Sequence, residues 1–587
     1  MRIEEGFQQT PYDVLHPYAD DTVLPSLLRR LLPQSAREEI EADLIRCGKR
    51  LVEEIRPLSA IVHHPTLVQY DHWGHRVDEL HTSEGWRKLE EFGIKEGFVS
   101  IAYERKYDAL SRVYSSAKIL AMTGDCHVVM CPLGMTDGAA RIIEVSGTEE
   151  MKRELLPRLI SRDPSFAYMA GQWMTERPGG SDVSQSETTA IPTTRIPSDL
   201  GPPYLLSGFK WFSSAAEGNM AVALGRTSPV SQAPGSRGLS LFVIPLRHGA
   251  YPTPLSNGVR MHRLKNKFGT HGVPTAELEL ENTRGWLIGE LGQGVKTVAT
   301  VLNVTRILSA LHLSGSLQRS ISIARSYALV RTIDGGKTLL SNAPLHVATL
   351  ADATLLYRAV TYMAFGTIEL LGKSECGAAS EEEEMRLRML TPAVKAYASV
   401  RCPTAMEEMM GALGGLGYME EVGIGRLIRD SLVERIWEGT VNVLALDLVR
   451  ATKKPRVVES YMAWAQSVIS SSAGVMELSA ARKTIERLQG LLQNLLRLLS
   501  HALTNPLLPR IALNYFASIS CGLYLLQHAI WSVGNKEQAC DVDLEAFRRW
   551  VDEGDMHTYA QEAEAVLSED NIARAKLNSQ LVYGAKL

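Results

Sequence analysis

Long hydrophobic runs are missing from this 587-residue chain. No stretch of about 18 uninterrupted apolar residues occurs, the length that a bilayer-crossing helix needs, so no membrane span is expected. Cysteine is sparse as well: 7 residues, odd in number and scattered (Cys47, Cys126, Cys131, Cys376, Cys402, Cys521, Cys540), with no CxxC pair. That excludes a disulfide framework and a cysteine-built zinc site, implies a reducing compartment, and leaves no metal centre to expect. An excess of one charge is also lacking. A net charge of -4 gives no basic field to draw in nucleic acid or an anionic bilayer. The opening residues carry Glu4 and Glu5 and no apolar segment, so neither a secretory signal nor a transit peptide is read there.

What is present is ordinary globular composition, 45% hydrophobic, at a length that suggests roughly three or four domains. Residues 1–35 read as a polar, Pro-punctuated arm. Helical periodicity begins near Ser35, a candidate cap with Glu38 three residues on. Residues 36–167 therefore read as an α-helical domain, broken by the loop Asp71-His72-Trp73-Gly74-His75-Arg76 and by a turn-rich break at Cys131–Asp137. From 168 to 287 the texture changes to short strands between Gly, Pro and Ser: Tyr204–Leu206, Met220–Leu224, Leu239–Ile244, and Thr275–Glu281, whose alternation puts its acids toward water. Long helices return over 288–452, where the acidic run Glu381–Glu384 reads as a solvated loop or helix start. Residues 453–587 read as an additional helical domain. The fold class is α+β and mostly α.

Three segments carry chemistry. Gln172-Trp173-Met174-Thr175-Glu176-Arg177-Pro178-Gly179-Gly180-Ser181-Asp182 offers backbone N–H groups and hydroxyls on a tight turn, a setting that can cradle a diphosphate or the polar edge of a flat ring. Gly208-Phe209-Lys210-Trp211-Phe212-Ser213-Ser214 offers an aromatic wall followed by hydroxyls. Arg435-Ile436-Trp437-Glu438-Gly439-Thr440-Val441-Asn442 puts a carboxylate at a loop-to-helix junction. Gly439 lets a ligand approach the backbone there, and the free N–H groups of the next helix suit a polarised oxygen. Each segment alone is compatible with a plain turn, a hairpin edge or a capped surface helix.

Taken together and in order, these segments resemble the acyl-CoA dehydrogenase family over about residues 45–450. The resemblance implies an N-terminal helical domain, a small middle β domain, a C-terminal helical bundle and FAD as cofactor. Gln172, Met174, Thr175, Gly180, Ser181 and Asp182 then line the FAD, and Phe212, Ser213 and Ser214 pack on its ring. Glu438 is then the catalytic base, and Gly414, Gly415, Trp437, Gly439, Thr440 and Asn442 are further residues expected to bind the FAD. Tyr327-Ala328-Leu329-Val330-Arg331 matches a segment whose Arg reaches the FAD of a neighbouring subunit, so Arg331 implies a homo-oligomer, dimer or tetramer. The usual Arg-x-x-Phe-Gly is here Arg331-Thr332-Ile333-Asp334-Gly335, without its aromatic.

Within the family the chain looks most like the adaptive-response (AidB-like) branch. The features are Trp437 before the base, the long N-terminal arm, Arg263-Leu264-Lys265-Asn266-Lys267 and the extra C-terminal helices. The bacterial prototype of that branch has a basic C-terminal domain associated with DNA. Acids and bases are nearly balanced here, so nucleic acid is not expected as a partner.

The family's chemistry is α-proton removal from an acyl-CoA, with hydride transfer to flavin N5. A water-poor site raises a carboxylate's basicity, and preorganised donors, which the family supplies from the base's own N–H and a ribityl hydroxyl, meet the charge on the thioester oxygen. Some members carry the base on the helix after the β domain; no Asp or Glu lies between Glu290 and Asp334 here, which leaves Glu438. The electron acceptor is an electron-transfer flavoprotein or oxygen. A second reading stays open, a flavoprotein with vestigial dehydrogenase activity and a protective or binding role. The chain stops at Ala585-Lys586-Leu587, similar to the S-K-L peroxisomal address, so the expected location is peroxisomal, otherwise cytoplasmic.

Overall fold

The structure, a computed structural model, describes residues 11–229, 232–248, 253–474 and 481–584. The terminal Ala585-Lys586-Leu587 lies outside them. Two compact units divide the chain: Ala42–Leu308, and Met1–Glu41 together with Ser309–Leu587. Each follows from its own sequence pattern.

The unit Ala42–Leu308 begins with helices. Ser83 and Thr148 cap Glu84–Lys95 and Glu149–Glu154 by accepting N–H bonds from Trp86 and Met151. The stretch around Asp71–Arg76 is the turn of a hairpin between β1 (Thr66–Tyr70) and β2 (Arg76–His81). The expected break at Cys131–Asp137 fails, since that stretch lies inside the helix Met130–Ser146. Pro132 sits in its first turn, where a missing N–H costs nothing. Gly134 and Gly138 do not break this helix: an added Cβ would press on Leu308 at the first and on Val301 and Gln172 at the second.

The strands follow: β3 (Ala170–Trp173), β4 (Thr189–Pro192), β5 (Pro203–Ser214), β6 (Met220–Arg226), β7 (Leu239–Pro245), β8 (Val259–Leu264) and β9 (Thr275–Ile288). Pairings run β6-β4-β5-β9-β7 and back to β6, with β3 added beside β6 and β8 beside β9. Closure of this kind removes the open edges of a sheet. Because side chains alternate, Ala221, Ala223, Phe242 and Ile244 fill one core with Leu206 and Leu278. Val222, Leu224, Leu241 and Val243 face a second core shared with Ala139, Ile142 and Ile143 of the helical layer. The alternation in β9 misleads at one acid: Glu277 is buried, under Arg263 and Lys265 at 2.8 and 2.6 Å.

The second unit is a helical assembly. Its N-terminal arm is not all loop, since Leu24–Leu31 is a helix with Leu24, Leu27 and Leu28 buried. Ser26 and Arg29 on that helix bond His528 and Glu537. The helix that sequence reading starts at Ser35 begins at Gln34. Glu381–Glu384 open the helix Glu381–Gly411 behind a capping box in which Ser380 and Glu383 each accept the other's backbone N–H. The helices after Lys453 pack directly on this bundle. Arg358 pairs with Asp543 in the interior, and Gly366 lies so close to the Tyr524 ring that an added Cβ would clash with it. Pro509–Gly534 is long and apolar enough to cross a membrane by length and composition, and 83% of its apolar window is buried against the rest of the protein. Counting uninterrupted runs misses it, because Asn514, Ser518 and Ser520 punctuate it. None of the seven cysteines forms a disulfide.

Candidate functional site

Two loops, one in each unit, hold the residues that the sequence singles out. In the β-containing unit, Gln172–Asp182 and Gly208–Ser214 are bound to each other. The Trp211 N–H donates to the Thr175 carbonyl at 3.0 Å, and the Trp173 indole N–H donates to the Ser214 carbonyl at 3.1 Å. Between them lies a buried ion pair: Lys210 Nζ reaches Glu176 Oε1 at 2.6 Å and the Leu224 carbonyl at 2.7 Å. Glu176 Oε2 takes the backbone N–H groups of Glu187 and Thr188 at 2.6 and 3.2 Å. Burial would push this carboxyl up, but the Lys210 ammonium and these donors outweigh it and hold it below the usual range.

This pair anchors the turn that follows. Glu176 and Gly179 exchange backbone bonds of 3.1 and 3.2 Å, which leaves Gly180, Ser181 and Asp182 exposed on the turn. Asp182 is tied to its own loop, accepting from the Ser184 N–H at 2.8 Å. Gly180 lies against Thr175, 3.0 Å from where a Cβ would sit. Met174 packs at the edge of the core shared with the helical layer, and Gln172 points to the Met135 carbonyl at 3.5 Å.

A bulge between Lys210 and Ser213 decides the next three residues. Phe212 stands 54% exposed, whereas Ser213 is fully buried. The Ser213 hydroxyl has no hydrogen-bond partner among the described residues. Ser214 exchanges a 2.9 Å bond with Thr275. Thus Phe212 and Ser214 can meet a ligand on the surface, and Ser213 faces the interior.

In the helical unit the loop Arg435–Thr440 is clasped to the helix Glu381–Gly411. Arg435 donates to the Ser399 and Val400 carbonyls at 2.8 and 3.1 Å. Lys395, fully buried, donates to the carbonyls of Trp437 and Gly439 at 2.7 Å each. The Trp437 indole N–H donates to Glu434, whose other oxygen lies 3.3 Å from His312 Nδ1. Glu438, half-buried, adopts φ +57° and Gly439 φ +104°. A left-handed conformation at a non-glycine residue costs energy and persists only where its surroundings impose it. Thr440 caps the helix Val441–Ala451, and Asn442, exposed, accepts from Arg510 at 3.4 Å.

Gly414 and Gly415 lie exposed at the start of the short turn Gly414–Tyr418. Arg331 is exposed, just before a small hairpin (Thr332–Ile333 with Thr338–Leu339) that turns through positive φ at Asp334, Gly335 and Gly336.

Sequence reading passes over the groups that hold these loops: Glu176 with Lys210, Lys395, Arg435, and Glu434 with His312. One signal existed for Lys395, a lone charge inside the apolar run Thr391-Pro392-Ala393-Val394-Lys395-Ala396-Tyr397, since a lysine is rarely buried without partners.

Comparison with known proteins matches residues 8–164 to the adaptive response protein AidB N-terminal domain, 171–283 to the acyl-CoA dehydrogenase middle domain and 292–453 to the acyl-CoA dehydrogenase C-terminal domain. Acyl-CoA dehydrogenase family member 11 of Caenorhabditis elegans is 40% identical over 454 residues, covering 76% of this chain and 72% of that protein. The putative acyl-CoA dehydrogenase AidB of Escherichia coli is 28% identical over 403 residues, 67% of this chain and 70% of its own. Among solved structures, Caenorhabditis elegans ACDH-11 in complex with C11-CoA superimposes with a TM-score of 0.88 at 34% identity, covering 99% of this chain and 97% of that one.

Proposed function

The chain belongs to the acyl-CoA dehydrogenase family, and on that premise we propose that Glu438 is the base for the α,β-dehydrogenation of an acyl-CoA thioester. The activity is that of an FAD-dependent oxidoreductase, close to the AidB-like members. The observation that carries the assignment to Glu438 is its backbone. A carboxylate-bearing residue is held left-handed, between two carbonyls fixed by one buried ammonium. That construction fixes where the carboxylate can reach, which a merely solvated surface acid would not require.

The donor set fits FAD. Thr175, Gly180 and Ser181 offer hydroxyls and backbone N–H groups on an exposed turn, with Gln172 and Met174 beside them, and Phe212 offers a flat exposed ring followed by Ser214. Gly414, Gly415, Trp437, Gly439, Thr440, Asn442 and Arg331 are the further candidates to hold it. When bound, FAD supplies the hydride acceptor. The rest falls to the chain: Glu438 takes the α-proton, and backbone N–H groups beside it stabilise the charge on the thioester oxygen.

The relative solved with C11-CoA supports an acyl-CoA as substrate. The exposed Arg331 supports a homo-oligomer, which sedimentation tests. The terminal Ala585-Lys586-Leu587 supports peroxisomal import, which a fluorescent fusion with and without those residues tests. The acceptor is an electron-transfer flavoprotein or oxygen, separated by peroxide release in air.

The deciding experiment is anaerobic bleaching of the flavin by a panel of acyl-CoAs, with Glu438→Gln alongside. Bleaching that vanishes in the variant supports the reading. FAD bound but never reduced by any thioester moves the assignment to the second reading, a flavoprotein with vestigial activity and a protective or binding role, which the N-terminal match to AidB keeps in view.

A further inference from the structure

We propose that Lys395 is the positioning residue of the base loop: its ammonium sets the direction of the Glu438 N–H and fixes the left-handed arch that carries the Glu438 carboxylate. This rests on the assignment of Glu438 as the base. The argument starts from the planar, trans peptide bond, in which the carbonyl and the N–H point opposite ways. The Trp437 carbonyl and the Glu438 N–H belong to one peptide. With that carbonyl held 2.7 Å from Lys395 Nζ, the Glu438 N–H is turned away from the helix Glu381–Gly411. The Gly439 carbonyl, held at the same distance, directs the Thr440 N–H in the same manner. The two residues between the pinned carbonyls, Glu438 and Gly439, are those at φ +57° and +104°. A two-residue left-handed arch is thus stapled at both ends by one cation.

The staple is strong because of where it sits. Lys395 is fully buried in the middle of Glu381–Gly411, where water cannot replace the carbonyls as acceptors and losing them would strand the charge. Trp437 is held separately through Glu434, and Arg435 is tied to Ser399 and Val400. Loss of Lys395 therefore leaves the loop attached while freeing the two peptides at either end of the Glu438–Gly439 arch.

The test uses the FAD-loaded protein with Lys395→Met, Lys395→Arg and Glu438→Gln. Two readouts are taken: the anaerobic rate of flavin bleaching by acyl-CoA, and the pH midpoint at which a bound 3-oxoacyl-CoA becomes its enolate, followed by absorbance. A misdirected N–H stabilises enolate charge less. Lys395→Met is expected to keep FAD and to hold KM within a few-fold. Its bleaching should slow about 10²–10³-fold, the loss typical of one removed oxyanion donor, and its enolate midpoint should rise by about one pH unit or more. Lys395→Arg, which keeps the charge but replaces one compact donor by a longer planar fork, should show a smaller rise. If Lys395→Met does not fold, the arginine variant carries the test.

An unchanged enolate midpoint in the folded variants overturns the proposal, as does a change confined to KM or to FAD content. Bleaching that survives in Glu438→Gln refutes the base assignment instead. The 3-oxoacyl-CoA midpoint needs no turnover, so it reports on Lys395 even where no thioester reduces the flavin.

Discussion

Two lysines with no exposed surface organise the two candidate loops, and they do it differently. Lys210 neutralises a carboxylate, Glu176, and through it secures the Gly-Gly-Ser turn. Lys395 is spent on peptide carbonyls on either side of Glu438. In the first case the lysine balances a buried charge, so its worth is chiefly stability. In the second it orients main-chain dipoles, so its worth is chiefly geometry. Position in a core is the same for both; the partner decides the role.

The largest expected effect sharpens this contrast. Lys210→Met should lower the unfolding free energy by about 3–5 kcal/mol, because it leaves the Glu176 charge buried and uncompensated. Adding Glu176→Gln should recover a substantial part of the loss in denaturant titration. If the double variant is no more stable than the single one, stranded charge is not the cause. Lys395→Met should cost less, about 1–3 kcal/mol for two unsatisfied carbonyls, while harming flavin reduction more than Lys210→Met does per unit of stability lost. Equal ratios of the two losses would break the comparison.

A second buried acid tests the electrostatics with opposite sign. Glu217 accepts from the Trp86 indole N–H at 3.0 Å, and burial pushes its carboxyl up to about 7. A carboxyl raised in the folded state stabilises most fully below its unfolded value, and that contribution is lost as pH rises from about 4.5 to about 7. Glu176, held low, contributes above the unfolded value and loses its contribution as pH falls through its folded one. Glu217→Gln should therefore be more stable than wild type at pH 8 by on the order of 2 kcal/mol, with little difference at pH 4. Thermal melts at the two pH values measure it, and a pH-independent gap would count against burial as the cause. The smallest effect belongs to the cap. Thr440→Ala should destabilise by about 1 kcal/mol, visible in denaturant titration.

Much of the β region was legible because strand signals are local: β6 and β7 begin and end near where short strands are read between turn residues, and β9 begins at Thr275 as its alternation places it but runs on past Glu281 to Ile288. Glu277 shows the limit. Its position in the pattern reads as solvent-facing, yet Arg263 and Lys265 cover it. The turn-rich Cys131–Asp137 misled for a related reason. Pro and Gly usually punctuate, but a helix tolerates Pro in its first turn and glycines where neighbours press close. The hairpin around Asp71–Arg76 was legible as a loop, while its short strands owe their pairing to β8: the Met261 N–H donates to Asp78 at 2.9 Å and its carbonyl accepts from Gln69 and Arg76 at 3.0 and 2.7 Å. In the candidate site, Phe212 and Ser214 were legible as a motif, but a bulge decided that Ser213 faces inward.

By itself the sequence determined the order and type of the segments and narrowed the proposed base to Glu438, because periodicity, turn residues and the lack of any acid between Glu290 and Asp334 are properties of neighbouring positions. Tertiary structure alone decided which buried polar groups meet. Lys210 finds Glu176 across 34 positions, and Lys395 finds Trp437 and Gly439 across 42 and 44. Such pairs depend on how helices and strands pack, and a buried ammonium takes whatever acceptor the packing brings within reach.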